Sequence, residues 1–379
     1  MLFIGLVIIH ELGHFIVARR NGVIAEEFGI FFPPRLFKRK MRGGWIFSIN
    51  LLPLGGFVKL KGEHDSDTEK GSFGAASTWA KTKIMAAGVL MNLITGIFLL
   101  IILAWIGLPQ LLPNQFNVAS SSHISRQEVL VTSIEPNSPA SAIGLKVEND
   151  IMAIGPPAHI QPVTSIIDLQ RLTKEFAGQK IELVYKNNGT QYSKIVHLQS
   201  SSIVAASLKT NSPKGYLGIT LTTLTLRQYS WWSGPIEAVG LTGQVIKLTF
   251  IGLGHAVAGL GKIIAGLVTG NTVARQNGQA AASKQVAGPV GIFIILKDGS
   301  VLGYQYMLLI IAIISLTLAI MNILPIPALD GGRLWLMLAS RAIGMPLVAS
   351  VEEIINGVGI VVLLSLMALI TFVDVHRFL

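Results

Sequence analysis

Five residues near the amino terminus, His10-Glu11-Leu12-Gly13-His14, carry the first chemistry in the chain. On a helix, positions i and i+4 share a face, so both imidazoles can reach one zinc ion. Glu11 then stands where its carboxylate can take a proton from an attacking water. A second anomaly is the run Met321-Asn-Ile-Leu-Pro-Ile-Pro-Ala-Leu-Asp-Gly-Gly-Arg333. Pro325 and Pro327 interrupt a helix there, and Gly331 and Gly332 free the backbone, so Asp330 is expected to turn inward from a non-helical segment. Opposite a cation, that carboxylate completes a two-His, one-Asp site.

Each feature alone has a plainer reading: a chance match on a helix end among lipid headgroups, and a loop aspartate at the membrane surface. The third ligands of soluble zinc proteases are absent. A metzincin would need glycine at Val17 and histidine at Arg20, and no Asp or Glu occurs from Phe28 to Gly62 to serve as a downstream carboxylate. Asp330 remains the strong candidate.

These residues must be positioned by an unusual chain. Of 379 residues 51% are apolar and only 13% charged, which excludes disorder and speaks against a soluble enzyme. Segments 84–108, 304–325 and 354–373 contain no charged residue and reach the length of a membrane crossing. Segment 1–18 is as apolar except for His10, Glu11 and His14, and it lacks the basic leader and cleavage site of a signal peptide. Four transmembrane helices are expected, with 326–353 linking the last two. Ionisable residues inside such a span are functional by default.

The net charge of +10 has a membrane origin rather than a nucleic-acid one. Loop 19–83 is rich in Lys and Arg, which places it in the cytoplasm, and the segment between the second and third spans outside. Within the loop, residues 45–60 read as two short strands around Pro53 and Gly55-Gly56, a hairpin apolar enough to dip into the membrane. Segment 201–303 is broken by Glu237, Lys247, His255 and Lys262 and reads as amphipathic helices on the membrane surface. The chain has no cysteine, so redox usage does not identify the compartment.

Outside, the pattern Ser138-Pro-Ala, Gly144-Leu145 and Asp150-Ile151 resembles a PDZ domain of bacterial envelope proteases and places a PDZ-like α+β domain at 120–200. The fold class expected is therefore a polytopic α-helical membrane protein with a membrane-associated β-hairpin and an inserted extracytoplasmic PDZ-like domain.

Taken together, the His10–His14 motif with Arg19 and Arg20, Pro53-Leu-Gly-Gly-Phe-Val-Lys59, Ala86-Ala-Gly-Val-Leu-Met-Asn92, Gly288-Pro-Val-Gly-Ile292 and Asn322 through Gly332 resemble the site-2 proteases, peptidase family M50. The likeness is greatest to the bacterial RseP-like enzymes of regulated intramembrane proteolysis. The resemblance implies zinc held by His10, His14 and Asp330, Glu11 as general base, and Asn322 touching the substrate strand or the developing oxyanion. It also implies a bacterial inner membrane, and substrates with a single transmembrane helix, such as anti-sigma factors or signal-peptide remnants. Val89 stands where the family often has proline, and one PDZ-like module is read where near relatives carry two. Two other classes stay open on the residues: a non-catalytic adaptor that binds envelope proteins, and a transporter whose buried charges relay protons.

Overall fold

The computed structural model describes residues 2–112, 114–187, 189–208, 213–273, 278, 302–345 and 347–378. The Gly288–Ile292 motif lies outside them. The chain divides into two compact units, one of Met1–Ile102, Pro235–Asp298 and Met307–Leu379, the other of Leu103–Gly234 and Gly299–Tyr306.

The first unit opens with helix α1, Leu2–Arg20, which carries the HELGH residues. Strands β1, Ala25–Lys40, and β2, Ile46–Leu60, follow; the two short strands expected at 45–60 are the two ends of the single strand β2, and they pair with β1 rather than with each other. Both bend, β1 around Pro33-Pro34 and β2 around Pro53, so the pair folds into four short segments of one sheet. Residues 27–30 of β1 pair with 46–49 on one side and 56–59 on the other, and 35–40 pair with 46–50. The buried Asn50 amide fixes the bend by donating to the Ile30 and Phe31 carbonyls at 3.2 and 3.1 Å. Phe15, Ala25 and Phe28 pack this sheet against α1.

Helix α2 spans Thr78–Ile106. After the second unit the chain continues as α6, Ser233–Thr269, α7, Tyr304–Ile323, α8, Asp330–Ala342, and α9, Ala349–Phe378. Among the described residues four helices are long and apolar enough to cross a membrane: Thr78–Ile106, Ser233–Ile263, Tyr304–Ile323 and Ala349–Ala368. Three of them coincide with expected spans. The Ser233–Ile263 stretch differs from the broken surface helices read at 201–303, because Glu237, Lys247 and Lys262 interrupt a charge-free run without interrupting the backbone hydrogen bonds of one continuous helix. The molecule is thus a multi-pass membrane protein with a β domain.

That β domain is the second unit, a seven-stranded sheet. It comprises β3, Leu108–Pro109, β4, Ser122–Ile134, β5, Asp150–Gly155, β6, Gln161–Pro162, β7, Lys180–Asn187, β8, Thr190–His197, and β9, Ile219–Tyr229. The order is β3-β9-β4-β5-β7-β8, with β6 on β5. Three short helices, α3 (Pro139–Ala142), α4 (Ile166–Glu175) and α5 (Ser201–Ser207), join them. Val129, Ile151, Leu169, Leu172, Ile181 and Leu183 are buried together as its core. The sheet reaches past the expected boundary at residue 200. Strand β9 pairs with β4 along its length, from Ser122 opposite Tyr229 to Ile134 opposite Ile219.

Candidate active site

Every group singled out as metal ligand or base belongs to the first unit. The two histidines lie one turn apart on α1, with ring centroids 4.9 Å apart and planes at 73°. Their Nε2 atoms are 3.2 Å from each other, and Asp330 Oδ2 is 2.8 Å from that of His10 and 3.1 Å from that of His14. A tetrahedral zinc with bonds near 2.1 Å separates its ligand atoms by about 3.4 Å. These three donors therefore fit one face of such an ion. They are the only His, Asp or Glu group of this kind among the described residues.

Asp330 arrives differently from the expectation. It is the first residue of α8 rather than part of a non-helical segment; the irregular chain is 324–329, just before it. The glycines after it permit this fold, since a Cβ on Gly332 would lie 2.1 Å from the Ile326 carbonyl oxygen and one on Gly331 2.3 Å from that of Leu324. Any larger residue would push the loop off the first turn of α8 and move the carboxylate with it.

An ionic network also holds α8 in place. Arg333 donates to the Glu63 carbonyl at 2.8 Å and pairs with Glu352 of α9 at 3.2 Å. Arg341 pairs at 3.0 Å with Asp65, whose carboxylate also takes Lys81 of α2. Lys81 and Asp65 are almost fully buried, and burial of an ion pair makes each partner depend on the other.

Helix α2 supplies two features that the sequence reading did not assign. His14 Nδ1 donates to the Ile84 carbonyl at 2.7 Å, which fixes the ring and leaves Nε2 free to bind a metal. A Cβ on Gly88 would stand 2.4 Å from His14 Nε2 and 2.5 Å from His10 Cε1, so only glycine lets α2 approach the two rings. A backbone carbonyl leaves no trace in sequence. Gly88 was visible only as part of the Ala86–Asn92 motif.

Glu11 lies beside these groups in a cleft that also borders His14, Val58, Leu60, Glu63, Asp330 and Arg333. Asn322 sits half-buried on the last turn of α7, and no described hydrogen bond joins its side chain to the three donors or to Glu11.

The model of peptidase family M50 matches residues 1–366. A candidate zinc metalloprotease of Clostridium perfringens is 30% identical over 376 residues, which cover 98% of this chain and 96% of that one. The regulator of sigma-E protease RseP of Escherichia coli is 25% identical over 463 residues, with 98% and 96% covered. A candidate zinc metalloprotease of Campylobacter jejuni is 29% identical, with 98% and 90% covered. The chain belongs to peptidase family M50. It is a metalloprotease, as the site-2 resemblance implied, and zinc is the metal its relatives are named for.

Proposed function

We propose that the chain is an intramembrane zinc endopeptidase that hydrolyses a peptide bond within the transmembrane helix of a single-span membrane protein. The observation that carries this reading is the meeting of His10, His14 and Asp330 within one bond-length shell, with Glu11 next to His10 on the same helix. An adaptor or a proton-relaying transporter has no use for that donor set.

His10 and His14 would hold the ion through Nε2, and Asp330 through Oδ2. The ion supplies Lewis-acid polarisation of the scissile carbonyl and of the nucleophilic water. The Glu11 carboxylate takes the proton released by the attacking water and returns it to the leaving amide nitrogen. Asn322 is assigned to the substrate strand or the developing oxyanion. Val58 and Leu60 of β2 border the cleft, and this strand offers an extended backbone to which an unwound substrate segment can add as a strand.

Substrates of the anti-sigma-factor or signal-peptide-remnant kind suit this chemistry. The Lys and Arg of 19–83 assign the catalytic side to the cytoplasm of a bacterial inner membrane and the sheet unit, read as PDZ-like, to the outside. That unit holds none of the catalytic groups, and its assigned work is the selection of substrates.

The test is Glu11→Gln in purified full-length protein. Zinc content should stay at the wild-type ratio while cleavage of a model membrane substrate is lost, because both imidazoles remain and only the base is gone. Turnover near wild type would remove Glu11 from the mechanism.

A further inference from the structure

Helix α2 places Ile84, Gly88 and Asn92 at intervals of four residues along one face, opposite His14 and His10 of α1. Ile84 takes the Nδ1 proton of His14, and Gly88 makes room for both rings. Asn92 stands at the remaining position. Its side-chain amide is 3.2 Å from His10 Nδ1, and the residue is only 1% exposed. Its backbone carbonyl accepts from Ser315 Oγ of α7 at 2.7 Å, and Ser315 is itself fully buried, so the asparagine is anchored from a third helix.

The proton inventory of His10 decides which end of the amide must face it. If Nε2 binds a cation, the imidazole is neutral and its one proton sits on Nδ1, which is then a donor. The amide NH2 is also a donor and cannot bond to it. The amide turns Nδ2 toward Nδ1, while Oδ1 is buried and has no hydrogen-bond partner among the described residues. The two ends are equal in size, and half a turn exchanges them. The oxygen that lacks a partner is therefore the group His10 needs.

We infer that Asn92 is a positioning residue for the metal site, its Oδ1 accepting the Nδ1 proton of His10 and so holding Nε2 toward the ion. The two histidines are then oriented from one helix in two ways, His14 by a backbone carbonyl and His10 by a side chain. Only the second is open to substitution without breaking α2. The inference rests on the proposed zinc site, and its test separates the two.

The experiment uses full-length protein in detergent and reads zinc affinity by competition with a chromophoric chelator, together with the visible spectrum of the cobalt-substituted form. Asn92→Leu keeps the branched shape and removes the acceptor, and zinc affinity should fall by about 10- to 100-fold, the usual effect of losing such a partner. Asn92→Asp offers acceptor oxygens only, and it should restore wild-type affinity and the wild-type cobalt spectrum. An Asn92→Leu protein that binds zinc like wild type would overturn the inference, as would a folded Asn92→Asp protein that loses the metal, since that result means Nδ2 was the working end. If the leucine variant does not fold, Asn92→Ala replaces it, with the same fall in zinc affinity expected and unchanged affinity overturning the inference. Failure of the wild-type chain itself to bind zinc with one ion per molecule would instead overturn the site on which the inference stands.

Discussion

Gly88→Ala tests the site through a residue that has no chemistry of its own. In an exposed helix interior this substitution stabilises by about 1 kcal/mol through helix propensity, so a glycine with no special role predicts an unchanged or tougher enzyme. The geometry predicts the reverse. The added methyl would lie 2.4 Å from His14 Nε2 and 2.5 and 2.6 Å from His10 Cε1 and Nε2, whereas ordinary contact begins at 3.4 Å. Either the rings or helix α2 must retreat by about 1 Å, several times the 0.2 Å tolerance of a metal site. Rotating the imidazoles away does not help, because His14 Nδ1 is tied to Ile84 of the same helix. A misplacement of that size costs about 100-fold in rate, and zinc affinity should fall with it. The assay is metal content and cleavage of a model membrane substrate on matched preparations. Gly5→Ala serves as the control, since nothing lies within 4 Å of a Cβ at that position. Wild-type zinc content and turnover in Gly88→Ala would refute the claim that α2 presses against His10 and His14 at the proposed metal site.

Three further outcomes follow from the same geometry. Asp330→Ala and His10→Ala should each lower zinc content together with activity, and a folded Asp330→Ala protein with one zinc per chain would show that another group closes the site. Asp65→Ala leaves Lys81 buried without its carboxylate and should cost about 3–5 kcal/mol in thermal or denaturant unfolding, whereas Arg341→Ala, which leaves the Lys81–Asp65 pair intact, should cost much less; equal losses would contradict this. Excising residues 123–228 joins Ser122 to Tyr229, which already face each other as partners in the sheet, and should leave cleavage of trimmed substrates intact while admitting untrimmed ones. Loss of cleavage even for trimmed substrates would point to recruitment instead, and unchanged discrimination would remove the sheet from selection altogether.

The candidate site residues were legible because the chemistry proposed for them requires both a type and a spacing. His10 and His14 announce a shared helix face, and Asp330 stands out as a carboxylate between helix-breaking prolines and paired glycines in an apolar chain. What escaped the sequence acts through shape or backbone. Gly88 works by having no side chain, and Ile84 by a carbonyl that every residue owns. The start of α8 at Asp330 was hidden by the same prolines that marked the site, since they end one helix without saying how soon the next begins. The length of α6 was obscured by Glu237, Lys247 and Lys262, which read as interruptions when charge-free length was the criterion. Strand β9 lies beyond α5 and pairs back with β4, a long-range partnership that local pattern does not reveal.

The placement of His10, His14 and Asp330 explains why the proposed site needs so much support from outside itself. Two donors sit near one end of the chain and the third near the other, so Asp330 reaches the histidines only if α8 is held against α2 and the loop after β2. The network of Lys81, Asp65, Arg341, Arg333 and Glu352 does this by pairing each charge with a partner from a different element. Buried pairs of this kind stay worthwhile only where every member is satisfied, because an orphaned buried charge is costly. The metal would then add a bond between α1 and α8 that the protein alone makes only through Asp330 and the two imidazoles. Binding and folding of this corner are therefore coupled: ligand loss at Asp330 should loosen α8, and damage to the network at Asp65 should weaken the metal, even though no atom of Asp65 lies among the three donors.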